Sequence, residues 1–138
     1  MSLRVTERKN GDVLVLGLDG RLVIGEAVEE FRRKIDQAIK GGQARLALDM
    51  KGTEYIDSSG MGFLVVAHKV ARDAGGMLAM FNLTERVVDL MLLTKLSGVF
   101  HLYASEQEAV DAIHGADVKP FDPVEYVQSR GEDAPGGE

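Results

Sequence analysis

The sequence predicts an α/β fold, a single domain on a small mixed, mainly parallel β-sheet with about four helices. Three observations predict it. Short apolar runs of strand length alternate with longer segments whose apolar residues recur at three- and four-residue steps. Glycine pairs, Gly41-Gly42 and Gly75-Gly76, close two of those segments. A turn signal, Asn10-Gly11-Asp12, separates the first two apolar runs. Alternating strands and helices imply right-handed crossovers and parallel pairing, with the opening hairpin as the antiparallel exception.

The elements follow in order. Leu3 to Arg8 and Val13 to Leu18 flank the turn and read as the two hairpin strands. Val28, Phe31, Ile35, Ala38 and Ile39, with charges between them, form one face of a helix that stops at the first glycine pair. Leu46-Ala47-Leu48 reads as a buried strand, Met61 to Ala74 as a helix, and Met77 to Phe81 as a further strand. Val87 to Leu93 predicts a short helix, Phe100 to Tyr103 a last strand, and Glu106 to Ile113 a closing helix capped by Ser105.

At 138 residues the chain suits one domain able to bury a core without staples. It contains no cysteine, which excludes disulfides, thiolate metal sites and cysteine nucleophiles. Apolar stretches are broken by charge or glycine before they reach membrane-spanning length, and no apolar block follows Met1-Ser2-Leu3-Arg4, so no membrane insertion and a cytoplasmic location are expected. A net charge of -6 argues against direct DNA binding, which needs cations to neutralise phosphates, and points to a protein partner. The domain is expected to span residues 1–115. Residues 116–138 read as an acidic, flexible tail: they hold all three prolines, and from Val118 onward five acids face two bases, half of the net charge.

The candidate site is the stretch Asp57-Ser58-Ser59-Gly60-Met61-Gly62, set before a helix whose residues Met61, Phe63, Leu64, Val65, Val66 and Ala67 are almost continuously apolar. A helix so covered must expose its polar start, where unpaired amides and the peptide dipoles favour anions. One reading is that Asp57 or Ser58 simply caps the helix. The other is a regulatory hydroxyl: phosphate on Ser58 would add about -1.5 to -2 of charge and block a partner without unfolding the domain. A serine hydrolase is disfavoured, because Ile56 and Asp57 stand where a nucleophile elbow needs glycine, and His68, His101 and His114 show no spacing that would bring a base to the serines. Gly60 and Gly62 lack the third glycine or lysine of a phosphate loop and are expected to permit a close approach to backbone or partner.

The run Tyr55-Ile56-Asp57-Ser58-Ser59-Gly60-Met61-Gly62 resembles the signature of the STAS family, which includes bacterial anti-sigma factor antagonists. Gly20-x-Leu22, Gly75-Gly76 and Leu96-Ser97-Gly98-Val99 support the likeness from about Leu3 to Gly115. The resemblance implies a small mixed sheet with helices on one side, no catalysis, no cofactor and no metal. It implies phosphorylation of Ser58 by a partner that is both serine kinase and anti-sigma factor, release of a sigma factor by the unphosphorylated form, and reversal by a PP2C-type phosphatase. Asp57, Ser59, Gly60, Met61 and Gly62 would shape the turn and meet the partner. The loop after Gly20, which helps meet the kinase in the family, reads Arg21-Leu22-Val23 here where many members carry acids. Arg21 and Val23 are thus candidate partner contacts. So are Met91 and Leu92, in a segment from Val87 to Leu96 with more apolar residues than one helix face needs, although core packing accounts for most of these. The oligomeric state is expected to be monomer or weak dimer. The alternative role is a STAS adaptor, in a lipid-transport ABC complex or a stress-signalling scaffold, that works without a phosphate cycle.

Overall fold

Along the second strand Val13 and Val15 alternate with Leu14, Leu16 and Leu18, so both sides of that strand are apolar and both faces of the sheet must be covered. The computed structural model describes residues 3–131. In chain order it runs β1 (Leu3–Asn10), β2 (Val13–Leu22), α1 (Glu26–Lys40), β3 (Arg45–Asp49), β4 (Thr53–Ile56), α2 (Ser58–Asp73), β5 (Met77–Phe81), α3 (Glu85–Leu93), β6 (His101–Tyr103), α4 (Glu106–Ile113) and α5 (Pro123–Ser129). The sheet order is β1-β2-β3-β5-β6. Only β1 is antiparallel to its neighbour. Leu14 to Gly17 of β2 pair with β3; from Gly20 to Leu22 the same strand pairs with β4 instead, with a register shift inside that pairing between Gly20 and Arg21. The fourth strand was not expected, since Thr53–Ile56 is too short and too polar to show a period.

On the first face Leu16, Leu18, Leu46, Leu48, Leu78 and Met80 meet Phe31 and Ile35 of α1 and Leu64, Ala67 and Ala71 of α2. The Phe31 and Phe63 rings join these two helices edge to face, with centroids 5.3 Å apart. On the second face Val13, Val15, Ala47, Ala79, Phe81 and Tyr103 form a thinner layer closed by Ala109, Val110 and Ile113 of α4. The expectation that all helices lie on one side is therefore corrected. Small residues at positions 47 and 79 leave room for α4 against the far face. Its start is tied to β1, because the Arg8 guanidinium donates to both carboxylate oxygens of Glu106, with Nη1 at 2.7 Å, and the Asn10 amide donates at 2.8 Å. Ser105 caps the same helix, accepting from the Glu108 amide at 3.2 Å.

Within the segment expected as a tail, residues 116–138, the structure places a short helix, α5. Pro123 opens α5 at a position where its missing N–H costs nothing, and Asp122 caps the helix by accepting from the Val124 amide at 3.0 Å. Val127 is fully buried. The remainder of the expected tail, residues 132–138, lies outside the described residues. Among the described residues no helix is long and apolar enough to cross a membrane.

The hydrogen-bonded Arg8 guanidinium, outweighing the effect of burial and helped by Asn10, lowers the Glu106 carboxyl from 4.5 to about 2. A carboxyl depressed in the folded state contributes stability that is complete above its ordinary value and lost as pH falls through the folded value. Urea denaturation should show Glu106→Gln less stable than the parent at neutral pH. The gap between the two should start to narrow below about pH 4.5 and close near pH 2.

Candidate functional site

Strand β4 ends on the buried Ile56 and α2 begins two residues later at Ser58, so the chain must turn at Asp57. Asp57 is extended (φ -88°, ψ -176°) and its side chain caps the helix. Its Oδ1 accepts from the Gly60 amide at 2.8 Å and its Oδ2 from the Ile24 amide at 2.9 Å. Its own N–H donates to the Leu22 carbonyl at 3.2 Å, and its carbonyl accepts from the Met61 amide at 2.9 Å. One residue thus ties the end of β2, the loop before α1 and the start of α2 together. Of the two capping candidates in the sequence, Asp57 is the cap and Ser58 is the first helical residue.

Ser58 is exposed, Ser59 is half-buried, and Gly60 and Met61 are buried. A Cβ on Gly60 would stand 2.2 Å from the Leu22 carbonyl oxygen, so glycine is what lets α2 press against β2. Gly62 meets no such neighbour; a Cβ there would point into open space. The close approach expected of both glycines is found at Gly60 alone.

Burial alone would raise the Asp57 carboxyl, but the amides of Ile24, Gly60 and Ser59, with Arg21 nearby, outweigh it and leave the group below its ordinary value. Asp57 is therefore ionised at neutral pH, and Ser58 sits beside a fixed negative charge at the positive end of a helix. Arg21 is exposed and lies over the Tyr55 ring, 5.0 Å from its centroid.

Ser58, Gly62 and Val66 follow at four-residue spacing and are all exposed, forming one stripe along α2. Ile24, whose amide Asp57 holds, is 74% exposed. Sequence reasoning missed Ile24. The available signal was an apolar residue stranded between the end of β2 and the Gly25-Glu26 entry to α1, belonging to neither period. Val23 is half-buried against the core. Met91 is fully buried and offers no side chain to a partner, which corrects its place among the contact candidates; Leu92 is half-buried. The histidines are engaged elsewhere: His114 pairs with Asp12 at 2.6 Å, and the His68 and His101 rings lie 5.2 Å apart. Among the described residues no cluster of three or more side chains could hold a metal.

Residues 4–109 match the STAS domain. The chain belongs to the STAS domain family. Over 110 residues it is 26% identical to the anti-sigma-B factor antagonist of Bacillus subtilis (strain 168), spanning 80% of this chain and 99% of that protein. To the anti-sigma F factor antagonist of Paenibacillus polymyxa it is 26% identical over 111 residues, or 80% of this chain and 94% of the relative. The fold matches that of the anti-sigma factor antagonist SpoIIAA in its unphosphorylated form, with a TM-score of 0.69 at 24% identity, covering 83% of this STAS chain and 99% of the other.

Two substitutions test the locked turn. Asp57→Ala removes the shared acceptor and should lower stability by about 1–2 kcal/mol, with faster hydrogen exchange at the Ile24 and Gly60 amides. Gly60→Ala forces its methyl into the Leu22 carbonyl and should cost about 1–3 kcal/mol in chemical denaturation, whereas Gly62→Ala should be tolerated.

Proposed function

We propose that this STAS protein is an anti-sigma factor antagonist: it binds a serine-kinase anti-sigma factor, thereby freeing a sigma factor, and phosphorylation of Ser58 ends that binding. One observation carries the reading. Ser58 presents its hydroxyl to solvent from the first residue of α2, while Asp57 supplies the cap and leaves the serine with no structural duty there. The names of the relatives from Bacillus and Paenibacillus support the role.

The physics of the switch follows from the site. A kinase can reach an exposed hydroxyl without unfolding the domain. The added phosphate lies over helix amides whose partial positive charge stabilises anions, so α2 survives. A partner seated on Ile24, Gly62 and Val66 would meet two neighbouring anions, the phosphate and the ionised Asp57, where it had met a neutral hydroxyl and one carboxylate. Desolvating that pair opposes docking far more than it opposes folding, because the free domain leaves the phosphate in water. Dephosphorylation by a PP2C-type phosphatase restores the neutral surface.

The test is incubation with candidate serine kinases and ATP, with mass spectrometry on the parent and on Ser58→Ala. A single phosphate confined to Ser58 is expected; absence of modification by any anti-sigma kinase of the same genome would remove the reading. Ser58→Asp should keep its thermal midpoint within a few degrees and bind the kinase about tenfold or more weakly. Binding unaltered by that variant would point to an adaptor working without a phosphate cycle.

A further inference from the structure

Two neighbouring strands of the sheet send the chain to opposite sides. After β5 it turns through Asn82, Leu83 and Thr84 into α3, whose Val87 and Met91 pack on the first face. After β6 it turns through Ala104 and Ser105 into α4, whose Val110 and Ile113 pack on the second. The two strands are parallel, so both departures lie at the same carboxyl-terminal edge and leave a crevice between them. In open parallel sheets ligands bind at such a point, because loops that diverge cannot fill the gap. Here the crevice has a volume of about 430 Å³, with Asn82 and Leu83 on one side, Tyr103 on the other and Lys51 beyond the end of β3. Phe121 and Tyr126 wall it from outside residues 4–109, the part of the chain that matches the STAS domain.

The rings of that wall are held in place before any ligand arrives. The Phe121 amide donates to the Leu102 carbonyl at 2.8 Å, and the Phe121 and Tyr126 rings meet with centroids 5.4 Å apart. The Arg130 guanidinium lies over Tyr126, 4.9 Å from its centroid. Tyr103 is only 7% exposed, yet its hydroxyl bonds to no other group among the described residues. A tyrosine so buried ordinarily finds a partner for that hydroxyl. Asn82 is held at φ 58°, in the left-handed region that residues other than glycine seldom adopt, and such strain gathers at ligand sites.

Charge selects the ligand. Lys51 is exposed and forms no ion pair among the described residues. Asp49, at the end of β3, is engaged instead by the Lys51 amide and the Asn82 carboxamide, each donating to its Oδ1 at 3.1 Å. An adjoining crevice that shares Phe121 and Tyr126 is lined by Glu108, Asp122 and Glu125 against the single cation Lys119. An anion is therefore disfavoured there and welcome at Lys51.

We propose that the crevice between the ends of β5 and β6 binds a small aromatic carboxylic acid, its ring among Tyr103, Phe121 and Tyr126 and its carboxylate on the Lys51 ammonium and the Tyr103 hydroxyl. Burial pushes the Tyr103 hydroxyl above its ordinary value, so it stays protonated and donates to the anion.

The experiment titrates benzoate into the isotope-labelled full chain at low salt and follows the amide resonances. Saturable shifts are expected at Asn82, Leu83 and Tyr103, with a Kd of about 1 mM or tighter and no change at Leu16, Ile24 or Gly60. Benzamide, of the same shape without the charge, should bind about tenfold or more weakly, and acetate, with the charge and no ring, should not saturate. Lys51→Ala should weaken benzoate about tenfold and leave benzamide unchanged, while Tyr103→Phe, which keeps the ring, should weaken benzoate severalfold. Absence of saturable shifts at Asn82, Leu83 and Tyr103 up to about 20 mM benzoate would overturn the site. Benzamide binding as tightly as benzoate, or Lys51→Ala weakening both alike, would overturn the role of the charge. Acetate binding as tightly as benzoate would overturn the role of the rings.

Discussion

The site rests on one carboxylate accepting from amides of two different elements. Asp57 takes the Gly60 amide with one oxygen and the Ile24 amide with the other. A cap with a single acceptor would end the helix and do no more; here the same group also fixes the loop between β2 and α1. Because the acceptor is charged, each bond is stronger than one to a neutral hydroxyl, and the amides in turn keep the group ionised. The exposure of Ser58 follows. With the capping position filled by aspartate, the next side chain has no amide to satisfy and projects from the first turn into water.

That arrangement depends on β2 serving two neighbours. Had β2 paired with β3 along its whole length, no strand would deliver the chain to Asp57 beside Leu22. Pairing with β3 stops at Gly17, which leaves the end of β2 from Gly20 onward to β4, and β4 runs directly into the turn. Gly60 completes the contact by allowing the helix to sit against the Leu22 carbonyl. The site is thus positioned by backbone groups of a buried sheet, the most rigid material the domain has.

Periodic elements were legible from residue order. Strand β5 has the bounds that the apolar run predicts, α4 begins after the expected Ser105 cap, and the family signature marked Ser58 at the start of a helix. What failed did so for identifiable reasons. Strand β4 has only four residues, with an exposed Glu54 in its middle, and shows no alternation. Prolines at 120 and 123 read as breakers, although a proline is also a good first residue of a helix, and one buried valine in seven residues makes no period. For the apolar residues of α3 core packing was the main reading, with a partner surface holding Met91 and Leu92 beside it. Met91 and Val88 are instead fully buried, and α3 lies in contact with both β4 and α5, so the segment read as a tail takes part in enclosing it. Ile24 was invisible because exposure of a lone loop residue is decided by tertiary packing, which no local pattern encodes.

The start of α2 and the ion pairs of Arg130 place positive charge in two different ways. At Ser58 the positive end is made of backbone amides, which cannot titrate, rotate away or be removed by mutation of a neighbour, and their effect falls off within the first turn of α2. At the end of α5 it is the Arg130 side chain, set against Asp89 and Glu85 with side-chain exposures of 38% and 67%. Salt weakens a pair so open to solvent, while the guanidinium itself, 13% exposed, lies over the Tyr126 ring. A covalent modification suits the first, because only a new charge can change what rigid amides present. The start of α2 and the Arg130 pairs lie on different elements of one STAS domain and share its core.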